Sequence, residues 1–539
     1  MSDYNIIATI DLNDYYPEGD VSILGTSNLR AQLTKIRKDR FDDKDRIRVL
    51  YDHDDSNGQV LRMLQRIVND VDIENFFILI STGCPDIADR LRKTHLGLDD
   101  TDMHYELLTK PFTPKKQRNY KYNDAVPVKI RPDELTDRER FLLTESETFC
   151  MYPWIHLHSY PTGDAYPCCH AEYQAGEFGN CQNQTLSEIW SGDRMRELRD
   201  DMLNERKNNA CVRCYEQEKS GFFSGRKSAN KHHGHNIKKG VELDPPFEMT
   251  YWDIRFSNLC NLSCRSCGHI FSSSWYQDQV KLAGPEWGQK HKPLFWAGRH
   301  ETDMIEQLME HLDYVEQIYF AGGEPLMMDE HYIILEELEK RKKFDVRLIY
   351  NTNFTKTKLK DRYVFDYWKK FDSVSIGASL DAMGPHAEYI RKGTKWAEVE
   401  ENRSLMMEIC PNVDFYISPT LSIQNALHLP DFHRDWVGKG LIQPQDFNVN
   451  ILQDPDWLRI DIAPKSYKEK IRIKYQEHLE WLRPLDKLNR ATVGFESALR
   501  FLETDNTHLL PKFWERMTKL DDMRNENLLD VIPELSELT

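Results

Sequence analysis

Arg255-Phe256-Ser257-Asn258-Leu259-Cys260-Asn261-Leu262-Ser263-Cys264-Arg265-Ser266-Cys267-Gly268 follows an apolar, strand-like run and carries three cysteines in a Cys-x3-Cys-x2-Cys pattern. Three thiolates on so short a loop can converge on one face of a [4Fe-4S] cubane, and three ligands for four irons leave one iron open to a substrate or cofactor. A structural zinc site is the alternative, with His269 as fourth ligand, since structural zinc closes its tetrahedron with Cys or His.

Downstream, Gly322-Gly323-Glu324-Pro325 stands at the end of another strand-like run, Val315 to Phe320. The Cys260, Cys264, Cys267 triad together with this stretch resembles the radical S-adenosylmethionine (radical SAM) superfamily. The resemblance implies that the methionyl amine and carboxylate of SAM chelate the open iron. It further implies that an electron from the cluster cleaves SAM to a 5'-deoxyadenosyl radical.

The chain has 539 residues, 40% of them hydrophobic, and a formal charge of -17. That length suits two to four domains at about 100–200 residues each. The negative charge argues against a nucleic-acid partner, because such a surface repels phosphates. No apolar run approaches the ~20 residues that span a bilayer, and the first residues lack the basic-then-apolar plan of a signal peptide. The expectation is a cytoplasmic protein with no membrane partner. Eleven cysteines, several at Cys-x2-Cys-like spacings, read as metal ligands in a reducing compartment rather than as a disulfide framework.

The chain divides into five expected regions. Residues 1–112 read as a small α/β domain, with strands at Asn5 to Leu12, Ile47 to Tyr51 and Phe76 to Ile80 and a helix at Val60 to Val68. The acidic Tyr51 to Gly58 loop reads as a capped strand-to-helix turn, and Cys84 as a buried thiol. Residues 113–146 are Pro-, Lys- and Arg-rich, a linker.

Residues 147–245 hold a second cysteine set: Cys150, then Gly163 and Cys168, then a helix opened by Leu186-Ser187-Glu188-Ile189-Trp190-Ser191, then Cys211 and Cys214. Four such thiolates suit either a cubane or a zinc ion. The spacing is similar to that of the SPASM or twitch module, which implies a second, auxiliary [4Fe-4S] cluster. Such modules commonly follow the barrel of their enzymes, whereas this one precedes it. Cys169 and Cys181 read as buried thiols, with a substitute ligand for the auxiliary cluster as the alternative for either, and the His232-His233-Gly234-His235 tract as a solvated loop, with metal binding as its alternative.

Residues 246–460 alternate strands with helices, which demands a parallel sheet with right-handed crossovers. Strands are expected at 251–257, 315–320, 346–350, 374–378, 413–417 and 447–452. By resemblance these form the partial (β/α)6 barrel of radical SAM enzymes, with functional residues on the loops at the C-terminal strand ends. Gly322, Gly323, Glu324 and Pro325 are then expected at the methionyl amine of SAM, with Asn353, Ser379 and Asp381 at ribose hydroxyls and the carboxylate. Arg391 resembles the arginine that pairs with that carboxylate in SPASM-type relatives, a group that a guanidinium fits bidentately. Residues 461–539 read as a helical extension without a catalytic motif.

The combined reading is a radical SAM oxidoreductase or maturase acting on a peptide or protein, fed by a flavodoxin- or ferredoxin-type electron donor. A small-molecule substrate, or a non-catalytic zinc or iron-sulfur protein on the same scaffold, are the alternatives. Two separate cysteine sets predict about eight irons per chain after anaerobic reconstitution, about four at each site. Zinc bound at Cys150, Cys168, Cys211 and Cys214 in place of four of those irons would remove the auxiliary cluster.

Overall fold

The computed structural model describes residues 135–219 and 223–538 in full and, before them, the backbone of strands 6–11, 46–51 and 75–81. The Val60 to Val68 helix, the loop after Tyr51, Cys84 and the linker up to residue 134 lie outside the described residues. The chain divides into two compact units: 1–119 with 404–411 and 438–443, and 120–403 with 412–437 and 444–539.

In the first unit β1 (Ile6–Asp11), β2 (Arg46–Tyr51) and β3 (Asn75–Ser81) form a parallel sheet in the order β1-β3-β2. Each strand lies within two residues of its expected position. The β-branched and aromatic residues of these runs favour extended backbone.

The second unit is built on an eight-stranded sheet. Its parallel strands are β4 (His156–Ser159), β7 (Tyr251–Ile254), β8 (Gln317–Phe320), β9 (Arg347–Thr352), β12 (Val374–Ala378) and β13 (Asp414–Ile417). The short β5 (Asp164–Tyr166) and β6 (Gly179–Asn180) add antiparallel strands beyond β4, giving the order β13-β12-β9-β8-β7-β4-β5-β6. A two-residue hairpin, β10 (Lys358–Leu359) with β11 (Arg362–Tyr363), lies between β9 and β12.

Two expectations change here. The run at 447–452 is not a full strand of this sheet. It makes one bridge, Phe447 to Ile417, and β15 (Asn450–Ile451) pairs with β14 (Thr420–Leu421) as a separate ladder. In its place β4, from the cysteine-rich region, extends the sheet on the other side of β7, with His156 opposite Tyr251 and Ser159 opposite Ile254. The cysteine-rich region and the segment after residue 246 therefore share one sheet.

The sheet has two unlike faces. Leu157, Trp252, Phe320, Tyr350, Ile376 and Phe415 alternate onto one face and are all buried. They pack under the crossover helices; Phe320 stacks on Tyr350 at 4.9 Å, and Tyr350 meets Trp368 at 5.1 Å. By the register, His158, Asp253, Tyr319, Asn351, Ser375 and Tyr416 share the other face. Strands of a parallel sheet covered on both sides by helices read as continuous apolar runs. A polar second face instead suits a sheet that curves around a site.

Helices Lys465–Leu482, Arg490–Phe501 and Leu510–Arg524 make up most of the C-terminal region. Ile471, Tyr475, Leu479 and Leu482 are buried at helical spacing, whereas Ile473, off that stripe, is 49% exposed. Among the described residues, no helix is long and apolar enough to cross a membrane.

One buried pair in this region sets a pH dependence. His433 Nε2 lies 2.9 Å from Pro444 O, so that nitrogen carries the proton, and Nδ1 accepts from His478 Nε2 at 3.0 Å. Burial lowers His433 from 6.5 to about 3 and His478 to about 2. Between those values the unfolded chain takes up protons that the folded chain refuses. The stability is thus fully present above pH 6.5 and declines as pH falls toward 3, by at most about 1.4 kcal/mol per pH unit for each histidine. Urea unfolding at pH 7.5 and 5.5 should show this loss, and His433→Phe should make it shallower; an equal slope in both proteins refutes the assignment.

Candidate functional site

The cysteine loop leaves β7 and is held by its backbone. Ser274 Oγ donates to Cys260 O at 2.7 Å, Ser272 Oγ to Leu262 O at 2.5 Å and Trp275 Nε1 to Cys264 O at 2.8 Å. On its other side, Ser263 N donates to Lys392 O at 2.9 Å and Arg265 N to Ile390 O at 2.8 Å. These bonds occupy carbonyls and amides of the loop, and its three thiols lie within electrostatic reach of one another. Burial, then the neighbouring Cys264, pushes the Cys260 and Cys267 thiols up to about 12. Such thiols ionise when a metal displaces their protons, so loading this site releases protons.

His269 takes no part in this arrangement. Its ring lies among Tyr276, Trp287 and Phe295 at 5.2–5.4 Å.

The Gly-Gly turn meets the cysteine loop directly. Gly322 and Gly323 have φ of +80° and +43°, where side chains are rarely tolerated. A Cβ on Gly322 would stand 2.6 Å from Arg255 Cβ, and one on Gly323 would collide with Leu259 O. Glu324 N donates to the same Leu259 O at 2.7 Å. The Glu324 carboxylate is 1% exposed and accepts from Thr352 Oγ1 and Asn353 N, both at 2.7 Å, and from Leu326 N at 3.1 Å. Burial raises it to about 7. Pro325 opens the short 3-10 turn that follows. Glu324 thus ties the end of β8 to the end of β9, a role that its expected position at the SAM amine did not include.

Asn353 turns toward the loop as well. Its Nδ2 lies 3.0 Å from Asn261 Oδ1 and 3.9 Å from Cys260 Sγ, while Oδ1 accepts from Thr355. Ser379 is half-buried at the end of β12, with its N–H donating to Thr352 O at 2.8 Å. Asp381 is 2% exposed; Oδ2 accepts from Arg391 Nε at 2.8 Å and Oδ1 from Thr420 N at 2.8 Å. Its carboxylate therefore serves Arg391 rather than standing open for a ribose. Arg391 Nη1 lies 3.7 Å from Cys264 Sγ. Asp381 and the cysteines hold the guanidinium firmly charged.

The second cysteine set spans more than sixty residues of sequence, and its thiols lie within electrostatic reach of one another. Cys150 and Cys214 are buried and Cys168 and Cys211 half-buried. Burial raises the Cys168 thiol first, followed by the charges of Cys169, Cys150, Cys211 and Cys214. Cys150 in turn is influenced by Cys211 and Cys214. Gly163, at φ +92°, makes the hairpin between β4 and β5 that returns the chain toward Cys168. Arg226 fixes the other end, donating to Ser146 O at 2.8 Å and Phe149 O at 3.0 Å.

Of the remaining cysteines, Cys181 is fully buried near Asp303 and Asp164, and Cys169 lies near Asp253 and Arg255. The histidine tract is not a loop. His233 ends helix Gly225–His233 and stacks against Tyr251 at 5.5 Å, while His235 pairs with Glu316 at 2.7 Å. The Ser224 side chain caps that helix. These separate partners give the imidazoles structural roles.

Sequence reading missed Arg265, which is fully buried between Cys264 and Cys267, and the buried His158 and Asp253 pair at 2.8 Å. A charge inside a cysteine loop was the available signal for the first. The second had none, because the pair forms only when β4 meets β7.

Residues 150–215 match the SPASM family, described as an iron-sulfur cluster-binding domain, and residues 254–418 match the radical SAM superfamily. Among solved structures the chain is similar to anSMEcpe with bound AdoMet and Kp18Cys peptide, at 19% identity, 43% of this chain, 60% of that chain and a TM-score of 0.30. It is similar to anSMEcpe with bound AdoMet at 20% identity, 42% and 60% coverage and a TM-score of 0.29. A structure of TYW1 with a lysine-pyruvate adduct bound shares 12% identity over 43% of this chain and 70% of that one, at a TM-score of 0.23. The chain spans 60% of the length of the anSMEcpe structures. No curated protein matches it. The two matched regions carry the descriptions of an iron-sulfur cluster-binding domain and of the radical SAM superfamily. They imply a [4Fe-4S] cluster, an auxiliary iron-sulfur cluster and SAM.

The packing of the Gly-Gly turn predicts the outcome of Gly323→Ala. A Cβ there meets Leu259 O one residue before Cys260, and a non-glycine side chain at such a φ costs about 1–3 kcal/mol. The variant should lose iron as well as SAM binding, retaining about half of the wild-type iron. Full iron content in a folded Gly323→Ala protein would show that the turn does not shape the cysteine loop.

Proposed function

We propose that the protein reductively cleaves S-adenosylmethionine at a [4Fe-4S] cluster held by Cys260, Cys264 and Cys267 and modifies a peptide or protein. The observation that carries the reading is Arg391, fixed by Asp381 at 2.8 Å and set 3.7 Å from Cys264 Sγ. A guanidinium beside a cluster ligand suits the carboxylate of SAM, which it can bind through two parallel N–H groups. When bound, the cluster supplies the electron that cleaves SAM to methionine and a 5'-deoxyadenosyl radical able to take hydrogen from an unreactive C–H bond.

The protein's own residues then have separable roles. Cys260, Cys264 and Cys267 would hold the cluster, which would supply an iron open to SAM. Gly322 and Gly323 let the turn after β8 approach the cysteine loop, and Glu324 and Asn353 fix that turn to the end of β9. Ser379 offers a hydroxyl at the end of β12. Asp381 keeps Arg391 charged and aimed. The polar face of the sheet, with Asp253, Tyr319, Asn351 and Tyr416, lines the substrate side of a partial (β/α)6 barrel that β4 extends. Cys150, Cys168, Cys211 and Cys214 hold the auxiliary cluster in a module N-terminal to that barrel.

A peptide or protein substrate is favoured because SPASM-type relatives often act on such chains, and the α/β region of residues 1–112 is available to recognise one. A flavodoxin- or ferredoxin-type protein is the proposed source of the electron, in the cytoplasm.

Anaerobic turnover with dithionite, following 5'-deoxyadenosine by chromatography, tests the reading. Cys264→Ala should abolish cleavage of SAM, because two thiolates do not hold the cubane with its open iron in place. Cys211→Ala should lose the auxiliary iron and product formation yet keep some 5'-deoxyadenosine. Equal cleavage in a folded Cys264→Ala protein would overturn the proposal.

A further inference from the structure

The guanidinium of Arg265, inside the cysteine loop, is fully buried and lies 3.7 Å over the ring of Tyr389. Its Nη2 donates to Asp521 Oδ1 at 2.5 Å and to Glu526 Oε2 at 2.6 Å. Both carboxylates come from the C-terminal region, more than 250 residues later in the chain. The same two groups also hold the segment that carries Arg391. Tyr389 Oη donates to Asp521 Oδ1 at 2.8 Å, and Lys392 Nζ donates to Glu526 Oε1 at 2.9 Å.

Asp521 is not placed for the stability of its own helix, although its Oδ2 accepts from Leu528 N at 2.7 Å, at the start of the next one. Asp521 stands in the last turn of helix Leu510–Arg524, the end at which the helix dipole disfavours an acid. Asn525, at φ +54°, then reverses the chain and returns Glu526 to the side of Asp521, where Glu526 N donates to Asp521 O at 3.0 Å. Two like charges brought together in this way need cations. One cation comes from the cysteine loop and one from the residue after Arg391.

We propose that Asp521 and Glu526 are positioning residues, a carboxylate clamp that holds the cysteine loop and the Arg391 segment in one fixed relation. The proposal rests on the reading of Arg391 as the contact for SAM. It explains why a region without catalytic motifs sends charged groups to a buried arginine. It also gives the amides Ser263 and Arg265, which bond Lys392 O and Ile390 O, as reporters of the junction.

The test uses full-length Glu526→Gln, which keeps the size of the side chain but removes its charge and one of its two acceptors, and Asp521→Asn, with Asp521→Glu as the charge-retaining comparison. The measurements are iron content, the KM for SAM, the turnover rate at saturating SAM read as deoxyadenosine formed, and hydrogen exchange at Ser263 and Arg265. Because small displacements of a positioning group cost up to about 100-fold, we expect KM for SAM to rise about 10-fold in Glu526→Gln. The iron content should stay near wild type, and the turnover rate should fall less than KM rises. Exchange at the two amides should be faster in Glu526→Gln and Asp521→Asn than in wild type, and Asp521→Glu should recover part of both effects.

Unchanged exchange in Glu526→Gln and Asp521→Asn would overturn the clamp. Faster exchange with an unchanged KM would overturn its link to SAM. If the wild type binds iron but neither binds nor cleaves SAM, the proposed function falls, and the exchange measurement still decides whether the clamp exists.

Discussion

The contact on which the site depends is between two backbones. Leu259 O, one residue before the first cysteine of the loop, accepts the Glu324 amide at 2.7 Å and closes the space where a side chain on residue 323 would begin. Glycine at 323 is the condition for that approach, since its φ of +43° and the missing Cβ are both required. Once the turn after β8 is seated on the cysteine loop, Glu324 can reach Thr352 and Asn353 after β9, and Asn353 can reach back to Asn261. Three consecutive strand ends become one hydrogen-bonded platform. The glycines that resemble a cofactor contact act first as a packing contact.

Electrostatics follow the same plan. Desolvation disfavours charge on every thiol of the loop, and at Cys264 and Cys267 the cation that counters it is Arg391. A buried guanidinium is destabilising unless its N–H groups are met. Asp381 meets one edge, and the thiol of Cys264 lies at another. Asp381 is held in turn by the Thr420 amide. Arg265 repeats the pattern with Asp521 and Glu526. Two arginines, Arg265 fully buried and Arg391 13% exposed, thus stand at the junction of the cysteine loop and the segment 389–392, each with its own carboxylates.

Much of this was legible in the sequence. The cysteine spacing, the Gly-Gly-Glu-Pro turn and five of the expected strands rest on local signals, since apolar runs between turn formers leave a clear imprint. What escaped is long-range or short. His156–Ser159 is four residues with two histidines, too polar and too brief to read as a strand, and it becomes one because β7 offers an open edge. The run at 447–452 carried the apolar composition of a strand, yet its polar groups find β14 and a single bridge. Asp381 and Arg391 were read as separate ligand contacts, although the helix Gly384–Ile390 between them brings them together. The partners of Arg265 lie in another region altogether, so no local pattern announces them.

The place of β4 also changes what the auxiliary module can be. β4 is hydrogen-bonded on one side to β7, which delivers the cysteine loop, and on the other to β5, which leads to Cys168. Neighbouring strands lie about 4.8 Å apart, so the strands that lead to the two thiol sets are separated by about 10 Å across continuous sheet. Phe271, four residues beyond Cys267, packs with Tyr160 and Tyr166 in the apolar cluster that also contacts Cys168. The two thiol sets therefore share a sheet and a packed wall, and their spacing is set by hydrogen bonds rather than by a linker. Without β4 the edge of β7 would be an unpaired row of backbone donors and acceptors beside the cysteine loop, a surface that folded proteins avoid. In this chain the cysteine-rich region completes the sheet that carries the Cys260–Cys267 loop.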